Sequence, residues 1–288
     1  MPFFINDQYP IINIQYSILM IGVFDSGYGG LTVLKEFVKR LPQYDYCYFG
    51  DNARTPYGSR SFETVYRYTL ECVQYLFGEG CQLVILACNT ASAKALRTIQ
   101  QNDLPLIDPA RRVLGVIRPS AEAIGQYTRS GHVGVLGTVG TIQSLSYPIE
   151  INKINPHIRV FQEACPMWVP LVENNEYQKD GADYFIRRHI ENLLCQSLDM
   201  DVMILACTHY PLLIDKIKKY TPSRVKILSQ GGIVAESLAD YLQRHPEMDC
   251  RLGKNGARIF QTTDSTEWFD KYASVFFGEE VKSEKVNL

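Results

Sequence analysis

The chain has 288 residues, enough for one large domain or two smaller ones, and its 46% hydrophobic and 21% charged content is an ordinary globular balance. A formal net charge of −2 with no long Lys/Arg block excludes a nucleic-acid footprint; RR at 111–112 and 187–188 and KIKK at 216–219 read as solvated helix faces. The apolar N-terminus has no Lys or Arg before Lys35 and is broken by Asn, Gln and Ser, so neither a signal peptide nor a membrane span is expected.

Taken in chain order, short apolar runs alternate with helical patterns. IGVFD (21–25) reads as a buried strand, followed by GLTVLKEFVKRLP, with Leu31, Leu34, Phe37 and Leu41 on one face and Pro42 as the stop. YDYCYFGD is the next strand and SFETVYRYTLECVQYLF the next helix, with Phe62, Val65, Thr69, Cys72, Val73 and Leu76 near helical spacing. QLVILAC and NTASAKALRTIQ repeat the pair. The later half keeps the rhythm: HVGVLGT, TIQSLSY, IRVFQEAC, ADYFIRRHIENLLCQSL, VMILAC, PLLIDKIKKY, VKILSQ and GIVAESLADYLQ, as alternating strands and helices. Buried strands alternating with helices predict an α/β fold with parallel sheets.

The two halves also resemble each other. GVFDSG (22–27) aligns with GVLGTV (134–139), and ILACNT (85–90) with ILACTH (204–209), at separations that agree to within a short insertion. Two like units facing each other would each present strand C-terminal ends to one cleft, where ligands of open α/β sheets bind. Cys88 and Cys207 would then confront each other across the ligand.

The eight cysteines show no disulfide-framework spacing, so thiols in a cytoplasmic protein are expected. Buried structural cysteine explains Cys88 or Cys207 alone, but matched contexts call for a shared role. Each sits where a strand passes into a helix, whose terminal N–H groups favour thiolate. Asn89, Thr90, Thr208 and His209 place hydrogen-bonding groups beside the two sulfurs. DSGYGG (25–30) closes a strand and opens a helix; its glycine spacing matches neither a Walker A loop nor a dinucleotide fingerprint, and it reads as an anion-binding turn or a plain tight turn. Asp25 and Ser26 there face the expected crevice. FGDNARTPYGSR supplies a Pro-Tyr-Gly loop around Tyr57 and Gly58. A zinc site of Cys88, Cys207 and His209 lacks the close ligand pairs such sites use. A Cys207–His209 nucleophile pair for acyl transfer leaves Cys88 without a role.

In this order, GVFDSGYGGLTVL, FGDNARTPYG, ACNTASA, GTVGTIQS, CPMWVPLVE and ACTHYP resemble the glutamate racemase family of the cofactor-independent aspartate/glutamate racemase superfamily, over roughly residues 20–277. Aspartate racemases are close relatives; DSGYGGLTVL and ACTHYP favour glutamate. The resemblance implies two similar α/β domains with mainly parallel sheets and the active site in the cleft between them. It implies Cys88 and Cys207 as catalytic acid/bases, with Asp25, Glu173 and His209 as auxiliary ionisable groups. Substrate contacts follow from Asp25, Ser26, Tyr57, Gly58, Asn89, Thr90, Thr208 and His209. No cofactor, metal, nucleic acid or membrane is expected; glutamate is the small-molecule partner, a homodimer the assembly, and D-glutamate for peptidoglycan the product's use. Chain exchange between domains is implied, with 20–115 and 230–288 forming the first and 116–229 the second. Residues 1–19 precede the first motif as an extension, and Met20 is a candidate second start. Arg118 departs from the family pattern near the domain interface.

The chemistry accounts for a pair of cysteines. Inverting an amino acid at Cα requires a proton to leave one face and another to arrive on the opposite face. Two fixed groups, one thiolate and one thiol, do this without moving. No lysine stands in a persuasive Schiff-base context for pyridoxal phosphate. The alternative from another class is a non-catalytic amino-acid-binding or regulatory module in the same cleft, which needs no paired acid/bases.

Overall fold

The computed structural model describes residues 19–288; the expected N-terminal extension lies outside them except for Leu19. Ten strands among the described residues carry the fold: β1 (Ile21–Asp25), β2 (Tyr46–Gly50), β3 (Leu83–Leu86), β4 (Arg112–Gly115), β5 (His132–Gly137), β6 (Arg159–Ala164), β7 (Val202–Ala206), β8 (Lys226–Ser229), β9 (Arg258–Thr262) and β10 (Glu284–Lys285). They form a six-stranded sheet in the order β10-β9-β2-β1-β3-β4 and a four-stranded sheet in the order β6-β5-β7-β8. All neighbouring pairs run parallel. Parallel strands need crossovers, which helices supply on both faces, so the central strands become buried from two sides. Every residue of β1, β2, β3 and β7 is buried, which is why these stretches read as continuous apolar runs rather than alternating ones.

The order β2-β1-β3-β4 in one sheet is repeated as β6-β5-β7-β8 in the other. The internal sequence repeat is therefore a repeat of architecture: β1 corresponds to β5 and β3 to β7. The chain leaves the first sheet after β4, enters helix Ile117–Ala123, and returns after β8 into helix Gln230–Arg244. That helix packs along Leu31–Arg40 beside the first sheet, and β9 and β10 complete that sheet's edge.

Local signals place several helix ends. Ser61 caps Phe62–Gly78 by accepting from the Thr64 N–H at 3.2 Å. Gly278, at φ 88°, ends Thr266–Phe277 in the left-handed conformation that suits glycine. The structure divides the single helix expected at TIQSLSY. Val139–Gln143 and Ser146–Ile154 are separate helices, broken where Leu145 takes φ 56°. β4, β9 and helices Ile117–Ala123, Trp168–Glu173 and Thr266–Phe277 carried no element expectation. β4 has only four residues, and alternating exposed and buried positions weaken its apolar run. Arg118 is on the surface, paired with Glu122 at 2.8 Å.

Candidate active site

Strand C-terminal ends from both sheets converge on one cavity of about 160 Å³. From the first sheet come Ser26 after β1 and Cys88, Asn89 and Thr90 after β3; from the second come Thr138 after β5 and Cys207, Thr208 and His209 after β7. The Tyr57–Gly58 loop and Cys165–Pro166 add further wall. Cys88 and Cys207 are both 6% exposed and both line this space.

Cys88 is the N-cap of helix Asn89–Lys94, and its sulfur accepts the Ala91 N–H at 3.5 Å. Ser26 Oγ lies 3.6 Å from the same sulfur. The sequence leads one to expect these groups to favour thiolate. In the structure, burial and the nearby Asp25 carboxylate outweigh them and push the Cys88 thiol up to about 12. Cys88 is therefore a neutral thiol at physiological pH.

The Cys207 side is differently charged. Its sulfur lies 3.9 Å from His209 Nδ1, and Glu173 Oε1 lies 3.1 Å from the other ring nitrogen, Nε2. Burial alone would lower the His209 pKa. The hydrogen bonds and charges of Cys207 and Glu173 override it and raise it to about 10. A protonated imidazole thus stands beside the Cys207 sulfur.

Asp25 stands between the two sides. It accepts the Gly27 N–H at 3.1 Å and the Thr208 hydroxyl at 3.4 Å. Burial raises its carboxyl above the ordinary value, with the His209 charge pulling the other way. Gly29 lets the walls meet closely: a Cβ there would fall 2.2 Å from Thr208 Oγ1 and 2.6 Å from His209 Nδ1.

The remaining expected residues line the same cavity, and each also has partners within the protein. The Tyr57 phenol donates to Asp51, whose other partners are Arg54 at 2.7 Å and the Thr263 hydroxyl at 3.0 Å. Gly58 presents its carbonyl to the Gly140 N–H at 2.8 Å, bridging the walls. Thr90 Oγ1 lies 2.9 Å from Thr138 Oγ1 across the same junction. Both ends of the Asn89 side chain are occupied: Nδ2 donates to Gln230 at 2.7 Å and Oδ1 accepts from Tyr147 at 2.7 Å. Asn89 can therefore offer a ligand its backbone N–H more readily than its amide.

Sequence reasoning missed Thr138 and Cys165 as cavity-lining residues. The repeat itself held the signal for Thr138, because the alignment of GVFDSG with GVLGTV pairs Ser26 with Thr138. Cys165 had no such signal; it arrives through the loop after β6, and burial raises its thiol well above the ordinary value. Among the described residues, no three His, Cys, Asp or Glu side chains are grouped to hold a metal ion, so the zinc arrangement of Cys88, Cys207 and His209 is not formed. No helix among them is long and apolar enough to cross a membrane.

A family model described as Asp/Glu/Hydantoin racemase matches residues 21–238. The chain belongs to that family. Its curated relatives are named glutamate racemase, an amino acid racemase, and this chain is an enzyme of that class. It is 41% identical to the glutamate racemase of Geobacter metallireducens, over 90% of this chain and 92% of that one. The crystal structure of glutamate racemase isoform RacE1 from Bacillus anthracis superposes with a TM-score of 0.85 at 36% identity, covering 94% of this chain and 98% of that one. The Francisella tularensis glutamate racemase, solved in complex with D-glutamate, superposes with a TM-score of 0.83 at 30% identity over the same shares. The two-unit α/β architecture is thus common to this chain and these racemases.

Proposed function

We propose that the protein interconverts L- and D-glutamate by proton transfer between two cysteines, without a cofactor. The observation that carries this reading is the placement of Cys88 and Cys207 at equivalent strand ends of the two repeated sheets, on one small cavity. The names of relatives at 36–41% identity supply the substrate.

The charge states divide the labour. Cys207, beside the protonated His209, is the thiolate base in one direction; Cys88 is the thiol acid. The Cys207 sulfur takes the Cα proton and becomes a thiol. The electron pair left on Cα delocalises into the α-carboxylate. Cys88 delivers its proton to the opposite face and becomes a thiolate, beside the Ala91 N–H and Ser26 hydroxyl that favour it. The reverse reaction exchanges these roles. Ser26, Thr90, Thr138 and Thr208, with helix-terminal N–H groups, hold the two carboxylates by hydrogen bonds. Among the described residues, no Lys or Arg lines the cavity, and His209 is a positive group on its wall.

The chain exchange fits a division into 20–115 with 230–288 and 116–229, supported by the membership of β9 and β10 in the first sheet. We assign the enzyme to the cytoplasm, as a homodimer supplying D-glutamate to peptidoglycan; free cysteines throughout accord with that compartment.

The test is turnover of L-glutamate in D₂O, sampled early by chiral chromatography and mass spectrometry. The first D-glutamate should carry deuterium at Cα, while recovered L-glutamate stays largely protiated. Early product that retains the substrate's own protium refutes two separate acid/bases, and no turnover at all refutes the substrate assignment.

A further inference from the structure

We propose that Gln230 is a positioning residue that sets the Cys88 thiol through a buried hydrogen-bonded ring with Asn89 and Tyr147. The inference rests on the racemase reading of Cys88 but turns on Gln230 and Tyr147, which stand behind the cavity-lining Asn89.

Gln230 begins the helix by which the chain returns from the second sheet to the first. Its Oε1 accepts the Asn89 Nδ2 at 2.7 Å, and its Nε2 donates to the Tyr147 hydroxyl at 2.5 Å. Tyr147 closes the ring by donating to Asn89 Oδ1 at 2.7 Å. Gln230 Nε2 also reaches Ser120 Oγ at 2.7 Å and the Val116 carbonyl at 3.3 Å. Val116 lies where the chain leaves the first sheet, so one side chain joins both crossings between the halves. The ring is sealed from water: Asn89, Tyr147 and Gln230 are between 0% and 5% exposed.

Asn89 is the residue after Cys88 and the first of the short helix whose Ala91 N–H holds the sulfur. Its amide has no freedom left, so the ring fixes the rotation of that helix's first turn. Tyr147 belongs to helix Ser146–Ile154 beside the second sheet, and Asn89 follows β3 of the first. The ring thereby sets the Cys88 wall relative to the Cys207 wall. A buried ring with every polar atom paired specifies one geometry, because each alternative leaves an unpaired group in low dielectric. A displacement of about 1 Å at a reacting group costs on the order of 10²-fold in rate.

Two variants test this: Gln230→Met, which keeps length and removes the amide, and Tyr147→Phe, which removes one oxygen. The measurements are thermal midpoint, kcat and KM for both enantiomers, and the primary isotope effect with 2-deuterated L- and D-glutamate. We expect kcat to fall by about 10- to 100-fold per folded molecule while KM moves by less than about threefold. The isotope effect should rise for the enantiomer that Cys88 deprotonates and change less for the other. The double variant should lose no more than the worse single, because the ring acts as a unit. If Gln230→Met does not fold, Tyr147→Phe decides alone. Lower thermal midpoints with unchanged kcat and isotope effects would make the ring structural only and overturn the proposal. A wild-type protein inactive on glutamate would instead overturn the racemase reading.

Discussion

Replacing Glu173 by glutamine tests whether the charge beside Cys207 is set from across the imidazole. The carboxylate oxygen lies 3.1 Å from His209 Nε2, and glutamine can accept the same hydrogen bond without the charge. A hydrogen bond to a charged group contributes about 1.5–3 kcal/mol and a neutral one about 0.5–1.5 kcal/mol, so the substitution costs the imidazolium roughly 1–2 kcal/mol. At about 1.4 kcal/mol per pH unit, His209 should lose its proton about one pH unit earlier. The Glu173 side chain is 19% exposed, so screening holds the effect to the lower end. The sign follows from a raised histidine. Activity that needs the imidazolium is present at lower pH and lost as pH rises through about 10 in the parent. In Glu173→Gln the alkaline limb of kcat/KM should move down toward pH 9, with the neutral plateau little changed. Stability should follow the same sign: the contribution of His209 is complete below its ordinary value of 6.5 and is lost as pH rises toward 10. The assay is polarimetric racemisation in both directions across the alkaline range, with urea midpoints measured alongside. An alkaline limb that stays in place would refute the role assigned to Glu173.

Cys88→Ala and Cys207→Ala should each lower racemisation by about 10²-fold or more, since one face of Cα then lacks its acid/base; polarimetry showing near-parental rates for either would contradict the two-thiol scheme. Gly29→Ala should cost about 1–3 kcal/mol of stability by urea denaturation and most of the activity, because its methyl would displace Thr208 and His209. Gly181→Ala, where nothing lies within 4 Å of the new Cβ, is the control and should leave both unchanged. In alkylation followed by peptide mass mapping, glutamate should protect Cys88 and Cys207 while the exposed Cys195 and Cys250 react regardless. Cys165 should also gain protection, since it shares the cavity wall.

The α/β class, the repeat and the two cysteines that line the cavity were legible in the sequence because each has a local cause. IGVFD, QLVILAC and VMILAC are apolar without interruption since their strands are buried from both sides, and burial of that kind leaves a mark that no partner is needed to read. The likeness of ILACNT to ILACTH accompanies equivalent strand positions that end on one cavity. Even Thr138, not singled out, was implicit in its alignment with Ser26. What the chain alone does not contain is the relation between distant residues. β9 joins β2 across more than two hundred residues, and no local pattern names its neighbour. The raised Cys88 thiol arises from burial and from Asp25, and the raised His209 from Cys207 and Glu173, all gathered by folding, so the helix N-terminus beside Cys88 predicted the wrong direction for its thiol. The ring of Asn89, Tyr147 and Gln230 is of the same kind. Three ordinary polar residues become a device only because tertiary packing excludes water from around them and leaves each no other partner.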